Sequence, residues 1–575
     1  MRSFFAVAML IALSFSAGCT SKDKAGNQAG AWLRVNQAGY TPGREKVAIV
    51  LSDADIAGRS WYLKSGDKVV LKGKLGAAQQ GNNKHVAQPF YYEIDFSKIT
   101  EIGDFNLELA GAESVQVRIL DDPYSLFAAQ VLMYLRAMRS GIDTRLHEAS
   151  HLGDSAAIVN VVKGNWREGA WKEAVPRRML DMRGGHYDAG DYLKFTLTEA
   201  YLTWQLLTAY QENPSLFTTT GASGLLDILD EAKWGLDYLA RTFPDNNTFV
   251  IQVGDKNDHN WEVRGDIRLP NDDVLDGKRP ALCALARSQM GSAAAALALG
   301  AQVFEQLDAG AATLYKNKAK AIYARARKDD AQPSAFERDE TNDFYHDTSY
   351  VDNMALAAAE LFRLTGEQNY LDDAAAYAPE VAPKTSWIHW FGFANHLMAK
   401  LGDEAAKKRI LEEVAQYEPA NIWNSSGDFY TWGTLHNWVG MANLHLRTKR
   451  DLQGATGLTA PFLGTLDYVF GRNNWGIAML ASPDLPNGIK NVYSQIYTLT
   501  GAFPMGATSP GPAGREWRDG QNEWLGSLEN TPFSRFNTPA VVFNDDSNDY
   551  VIQETTLTIQ GDMILMLALA TKQMK

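Results

Sequence analysis

Two short stretches hold acids whose spacing suits hydrolytic chemistry. The first is Gly184-Gly185-His186-Tyr187-Asp188-Ala189-Gly190-Asp191-Tyr192-Leu193-Lys194-Phe195, where two carboxylates stand three residues apart with only Ala and Gly between them. Small residues there let both acids turn to one spot, hold a water molecule and take its proton. The same pattern also suits calcium binding or the capping of a following helix, so it leaves three readings open. The second is Phe543-Asn544-Asp545-Asp546-Ser547-Asn548-Asp549-Tyr550-Val551-Ile552-Gln553-Glu554-Thr555-Thr556, in which acids and amides crowd the approach to Glu554. A Glu set between an apolar helix and other carboxylates has its pKa raised, as a general acid near neutral pH requires. A Glu opening a helix also simply complements the helix dipole.

The elements that must position these acids fall into two kinds. From Ala31 to about Leu120 the pattern is β: Lys46–Leu51, Ser60–Leu63, Val69–Lys72, Phe90–Phe96, Phe105–Leu109 and Val115–Leu120 are short alternating runs separated by turn residues. Such spacing predicts a β-sandwich. At Asp121-Asp122-Pro123 the period changes, and helices are expected over Tyr124–Met138, Glu199–Gln211, Gly224–Thr242, Leu282–Glu305, Leu314–Arg327, Val351–Thr365, Trp390–Leu401, Thr434–Arg447 and Glu554–Thr571. With weaker segments these make about a dozen, joined by some long Gly/Asn/Asp-rich loops. Six helical hairpins closed into one barrel accommodate that number, although periodicity alone does not distinguish this from another all-α packing.

Composition narrows the partners. The 575 residues are 45% hydrophobic and 21% charged with a net charge of −13, a folded chain that suits neither nucleic acid nor an anionic membrane surface. Fifteen Trp, 23 Tyr and 24 Phe suit stacking on sugar rings, although core packing uses most aromatics. Arg2, the apolar Phe4–Phe15 and the small Ser16-Ala17-Gly18 read as a secretory signal over 1–18. Cys19 directly after it resembles a bacterial lipoprotein processing site, which implies lipidation of Cys19 and an exported protein anchored to the outer membrane. The polar 19–30 then reads as a tether. Cys283, in an apolar run, is expected to be an inert core thiol. His147-Glu148-Ala149-Ser150-His151 fits a zinc-protease pattern but runs at once into Leu152-Gly153-Asp154 rather than continuing a helix. The chain carries no Gly-x-Ser-x-Gly elbow, P-loop or dinucleotide fingerprint.

Together the two acid segments resemble the base and acid motifs of glycoside hydrolase family 9, the family of many bacterial and plant cellulases. Leu33-Arg34-Val35-Asn36-Gln37-Ala38-Gly39-Tyr40 is similar to the opening of the immunoglobulin-like domain that precedes many of these enzymes. Arg139-Ser140-Gly141, Ser349-Tyr350-Val351-Asp352 and Leu466-Asp467-Tyr468-Val469-Phe470-Gly471-Arg472-Asn473 also stand in family order. The resemblance implies an immunoglobulin-like β-sandwich (31–120) followed by an (α/α)6 barrel (121–575), and hydrolysis with inversion. It implies Asp191 as general base, Asp188 as its partner in holding the water, and Glu554 as the acid. Asp545 and Tyr550 match the acid motif, and Asp258-His259-Asn260-Trp261 resembles a cleft loop; His259, Trp261, Tyr550 and Asp545 are therefore expected at the substrate.

Departures bear on specificity. Where the family's cellulases carry Pro-His-His-Arg, this chain reads Pro486-Asn487-Gly488-Ile489-Lys490-Asn491-Val492-Tyr493-Ser494, and Gln560 stands where Asn is usual. The expected substrate is a β-1,4-glucan or its oligosaccharides. The alternatives are an exo-acting glucosaminidase on chitosan oligosaccharides, with the Asp545, Asp546 and Asp549 cluster reading an amine, and a catalytically silent oligosaccharide-binding lipoprotein. No cofactor is required by the chemistry; surface carboxylates are compatible with structural calcium, and a monomer is expected.

Overall fold

The computed structural model describes residues 30–140, 155–160, 172–173, 179–221, 223–254, 281–333, 345, 349–380, 390–418, 421–521 and 524–573. The N-terminal unit is a sandwich of two four-stranded antiparallel sheets. One orders β1 (Ala31–Arg34), β2 (Val47–Ser52), β6 (Phe90–Asp95) and β5 (Gln79–Gln80); the other orders β4 (Lys68–Lys74), β3 (Ser60–Ser65), β7 (Gly103–Leu109) and β8 (Val115–Ile119). Alternation sets the buried face: Phe105, Leu107 and Leu109 point inward with Leu63, Val117 and Ile119, while Asp104, Asn106 and Glu108 face away from that core.

Ser125 opens the helical unit. Among the described residues it has twelve helices of ten residues or more: α1 (Ser125–Ala137), α2 (Thr196–Glu212), α3 (Asp227–Arg241), α4 (Arg287–Phe304), α5 (Ala309–Ala326), α6 (Val351–Thr365), α7 (Gln368–Tyr377), α8 (Phe391–Lys400), α9 (Glu404–Ala415), α10 (Thr434–Gln453), α11 (Ala460–Val469) and α12 (Leu557–Gln573). Helices α2, α4, α6, α8, α10 and α12 each pack on the next, and α12 returns to α2, which closes a ring of six. Outside it α3 lies on α2, α5 on α4, α7 on α6, α9 on α8, α11 on α10 and α1 on α12. The expected (α/α)6 barrel is thus what forms.

The inner helices are buried nearly all round, because both flanks and the outward side are covered. Met563, Ile564, Leu565, Met566, Leu567 and Leu569 of α12 are fully buried, each worth about 1.5–3 kcal/mol relative to exposure. On α4, a Cβ at Gly291 would come within 2.9–3.0 Å of Asn353 and Met354, so a glycine is what lets α4 and α6 approach. Short connections reverse the chain after α4, α6, α8 and α10; Gly366, at φ +72°, ends α6 and Asp403 caps α9 through the Ala406 N–H. Every inner helix therefore starts at the same end of the barrel, where the loops before α2 and α12 carry the candidate acids.

Several expectations are revised. Glu554 does not open a helix over Glu554–Thr571: a single turn, Tyr550–Gln553, precedes it, Glu554 is extended (φ −82°, ψ 92°), and α12 starts at Leu557. The diversion has a cause, because the Leu557 N–H donates to the Asp188 carbonyl (2.9 Å) and the Thr555 hydroxyl to the Thr508 carbonyl (2.9 Å). Leu282–Glu305 divides into a strand and α4. The strand belongs to a sheet that helical periodicity did not suggest, ordered β10 (Lys172–Glu173), β9 (Ser155–Asn160), β14 (Ala281–Cys283), β13 (Val250–Val253) and β12 (Lys194–Phe195), with β11 (Met179–Asp181) on β9. Cys283 is a buried thiol in β14.

The two units are joined through polar contacts. Arg44 pairs with Asp467 at 2.6 Å, both side chains being buried, and Asn36 donates to the same carboxylate at 2.8 Å. Farther along, Lys84 and His85 reach Asp428, and His85 Nδ1 lies 2.7 Å from the Tyr430 hydroxyl.

Candidate active site

The Asp188–Asp191 loop is fixed from both sides. Ahead of it, Gly184 and Gly185 adopt positive φ (+87° and +72°), and a side chain at Gly185 would strike the Tyr238 ring at 2.8 Å. Behind it, β12 pairs with β13 (Lys194 opposite Val253), and the buried Lys194 ammonium donates to the Met182 (2.7 Å) and Gly184 (3.0 Å) carbonyls. Within the loop, the Asp188 N–H donates to the Leu193 carbonyl and Asp191 accepts the Leu193 N–H, both at 2.9 Å.

Both aspartates are buried, at 3% and 4% exposure. One Asp188 oxygen accepts the hydroxyl of Thr198, in the first turn of α2, and the other accepts the hydroxyl of Tyr345. Burial pushes the Asp188 pKa up to about 7; the Thr198 and Tyr345 hydroxyls oppose the rise, and Asp191 and Glu199 add to it. Near neutral pH this carboxyl therefore exchanges a proton readily.

Glu554 arrives from the far end of the sequence. Its Oε1 accepts, at 3.2 Å, the N–H of Gly190, one of the two residues between the aspartates. A third segment closes the arrangement: Gln495 donates its N–H to the Gly190 carbonyl (2.7 Å) and Tyr493 its N–H to the Gln553 carbonyl (2.9 Å). Gly190 is required here for space. A Cβ would overlap the Tyr493 carbonyl oxygen and lie 3.0 Å from its ring and 3.1 Å from Glu554 Oε1.

Asp545 acts on this third segment. It accepts the N–H groups of Lys490 (3.0 Å) and Asn491 (3.1 Å) and the Gln553 amide (2.9 Å), so it holds the stretch that stands where the family's cellulases have His and Arg. Tyr550 is half-buried, its ring edge-on to Tyr493 at 5.5 Å and its hydroxyl donating to Gln521 at 2.8 Å. Gln560 is fully buried and bonds the Thr508 N–H and Gly506 carbonyl, so it braces the wall rather than facing the cleft. Of the tryptophans, Trp390, Trp423 and Trp438 are core; Trp432 is partly exposed and stacks on His436, which lies 3.1 Å from the Thr558 hydroxyl just beyond Glu554. His259, Trp261, Cys19 and the His147–His151 segment lie outside the described residues. Among the described residues no group of three or more His, Cys, Asp or Glu is placed to hold a metal ion.

Sequence reasoning missed the buried ionic cluster behind the loop. His186 lies between Glu199 (3.0 Å) and Glu231 (3.2 Å), while Arg139 pairs with Glu231 (2.7 Å) and Asp230 (2.9 Å). Burial pulls the His186 pKa down, but the two glutamates outweigh it and raise it to about 9, so the imidazole carries charge. Thr198 and Tyr345 were missed as well. Thr198 is legible only as a helix-start residue seven after Asp191, and nothing in the pattern around Tyr345 connects it to Asp188.

With this geometry in hand, comparison with known proteins defines the class. Residues 124–567 match the family model "Glycosyl hydrolase family 9", and 28–114 match "Cellulase N-terminal ig-like domain". The chain belongs to glycosyl hydrolase family 9. It is 26% identical over 490 residues to Endoglucanase C of Cellulomonas fimi, covering 77% of this chain and 43% of that protein. It is 22% identical over 585 residues to Endoglucanase D of Acetivibrio thermocellus, covering 93% and 88%. It thus spans less than half of the first of these relatives and most of the second. Among solved structures, a metagenome-derived family 9 endoglucanase superposes with TM-score 0.75 at 21% identity. A thermostable endoglucanase from Alicyclobacillus acidocaldarius also gives 0.75, at 17% identity; each pair covers 94% of this chain and 99% of the other, so the fold is shared.

Proposed function

We propose that the protein is an inverting glycoside hydrolase that cleaves β-1,4-linked glucan or gluco-oligosaccharides, its β-sandwich (31–120) supporting a catalytic barrel (121–575). Asp191 serves as general base, Asp188 holds the nucleophilic water with it, and Glu554 protonates the leaving oxygen. Water attacks the anomeric carbon from the face opposite the departing sugar, Asp191 takes its proton, and the C–O bond breaks as Glu554 delivers one; the carboxyl groups of such enzymes stand about 6.5–9.5 Å apart to admit that water. The observation that carries the reading is the hydrogen bond from Gly190 to Glu554, which links the acid to the loop between the aspartates across 364 residues. The relatives are endoglucanases, which supports a glucan substrate.

Asp545 and Asp549 are engaged by internal donors, Asp549 with Arg518 at 2.7 Å, which weighs against an acidic cluster dedicated to a glucosamine amine. His259, Trp261 and Tyr550 are assigned to substrate contact, and Asp545 to shaping that surface. The test is product analysis on matched cello- and chitosan-oligosaccharides, with Glu554→Gln as control. Cleavage of the cello series by the wild type alone is expected. Release of glucosamine from the chitosan series only would replace glucan with glucosaminide, and binding without turnover would make the protein a saccharide-binding lipoprotein. Export, lipid attachment at Cys19 and residence at the outer membrane are part of the proposal; Cys19→Ser is expected to leave the protein soluble and unlabelled by palmitate. The proposed enzyme is a monomer and requires no cofactor, and unchanged activity in EDTA is the expected result.

A further inference from the structure

Next to the acid segment, residues 513–521 and 524–526 carry two tryptophans that the fold leaves in water. Trp517 is 49% exposed and Trp524 72%, the two well-exposed tryptophans among the described residues. The backbone beneath them is pinned. Ala513–Gly514 pairs with Val541–Val542, and the Gly514 N–H donates to the Thr431 carbonyl (2.9 Å), beside Trp432. The Trp517 carbonyl accepts the Gln521 amide (2.8 Å). The buried Arg518 donates to the Leu525 (2.7 Å) and Gly526 (2.8 Å) carbonyls, fixing the chain directly after Trp524.

The same anchors tie the segment to the acid. Arg518 pairs with the buried Asp549, which caps the turn ending at Gln553, and Gln521 accepts the Tyr550 hydroxyl. The segment also lines a cavity of about 590 Å³ whose walls, Arg515, Arg518, Glu529, Asn530 and Ser534 around Leu528, are nearly all hydroxyl-bonding groups. Apolar rings exposed to water on a hydrogen-bonded backbone, with the polar donors and acceptors of the adjoining cavity, match the two faces of a sugar, whose C–H face stacks and whose hydroxyls bond.

We propose that Trp517 and Trp524 are stacking platforms for a β-linked saccharide chain that runs on past Glu554, an accessory subsite that favours long substrates over short ones. The inference rests on the glycosidase reading above but fails separately from it. The experiment measures kcat and KM of the wild type, Trp517→Ala, Trp524→Ala and the double variant on trimers and hexamers of the cello and chitosan series. Tryptophan fluorescence titrations of the same proteins with the same oligomers report binding even where nothing is cleaved. The expected result is a roughly tenfold or larger rise in KM for the hexamer in the double variant, with trimer kinetics within about twofold of wild type and kcat unchanged. Equal effects on trimer and hexamer, no effect on either, or a shift from dimer to monomer without a length-dependent change would overturn it. A wild type that quenches with hexamer but cleaves nothing would sink the glycosidase reading while leaving the platform standing.

Discussion

Gly190→Ala perturbs the junction of all three segments with one methyl group. Gly190 is not among the residues at positive φ, so alanine meets no backbone penalty, and the effect is one of space alone. The new Cβ would overlap the Tyr493 carbonyl and lie 3.0 Å from its ring and 3.1 Å from Glu554 Oε1. The carbonyl belongs to a backbone fixed by the Tyr493 to Gln553 and Gln495 to Gly190 hydrogen bonds, so the aspartate loop and the acid must separate. Overpacking of this kind costs about 1–3 kcal/mol. A displacement near 1 Å between reacting groups lowers kcat by about a hundredfold. The assay is steady-state hydrolysis of a soluble oligosaccharide, together with the thermal midpoint. The expected outcome is a fall in kcat of about two orders of magnitude with only a modest drop in midpoint. An alanine variant with wild-type kcat would refute the claim that this contact sets the distance between acid and base.

Three further perturbations test the surroundings. Tyr345→Phe removes a donor that opposes the rise in Asp188 pKa, so the acid limb of the pH–rate profile, set by ionisation of Asp188 near 7, is expected to move to higher pH; an unmoved limb would detach Tyr345 from the chemistry. His186 has its pKa raised in the folded state, so its ion pairs contribute fully below about pH 6.5 and are lost as pH rises through about 9, a span worth about 3 kcal/mol. The wild-type thermal midpoint should therefore fall over that window by more than that of His186→Gln, and parallel profiles would mean the cluster is not ionic. Arg44→Ala leaves Asp467 buried with Asn36 at 2.8 Å and Arg472 at 3.4 Å, and should cost about 3 kcal/mol and loosen the sandwich from the barrel, read by limited proteolysis at their junction.

Much of this was legible in the sequence for physical reasons. Strand alternation in Phe105–Leu109 and the apolar run of α12 report burial directly, because each residue's side is fixed by a period of two or by complete enclosure. Asp188, Asp191 and Glu554 were legible because the motifs around them are local. The break at Glu554 was not, since it follows from a hydrogen bond between Leu557 and Asp188 that joins distant segments. The same limit hid Tyr345 and the His186–Glu199–Glu231–Arg139 cluster, whose members lie on α2, α3 and two separate loops. Asp545 read as a sugar contact because its carboxylate sits in the acid motif; only the fold shows that it is bonded to the Lys490–Asn491 backbone.

The central claim is that Asp191 and Glu554 act on opposite faces of one sugar, and the configuration of the first product tests it most directly. Proton NMR should follow hydrolysis of a β-linked oligosaccharide from the first minutes, before mutarotation, with Glu554→Gln as the control. The account predicts that the α-anomer appears first and that the variant yields none. An initial β-anomer would contradict it, because retention requires a covalent intermediate that this pair of acids does not form.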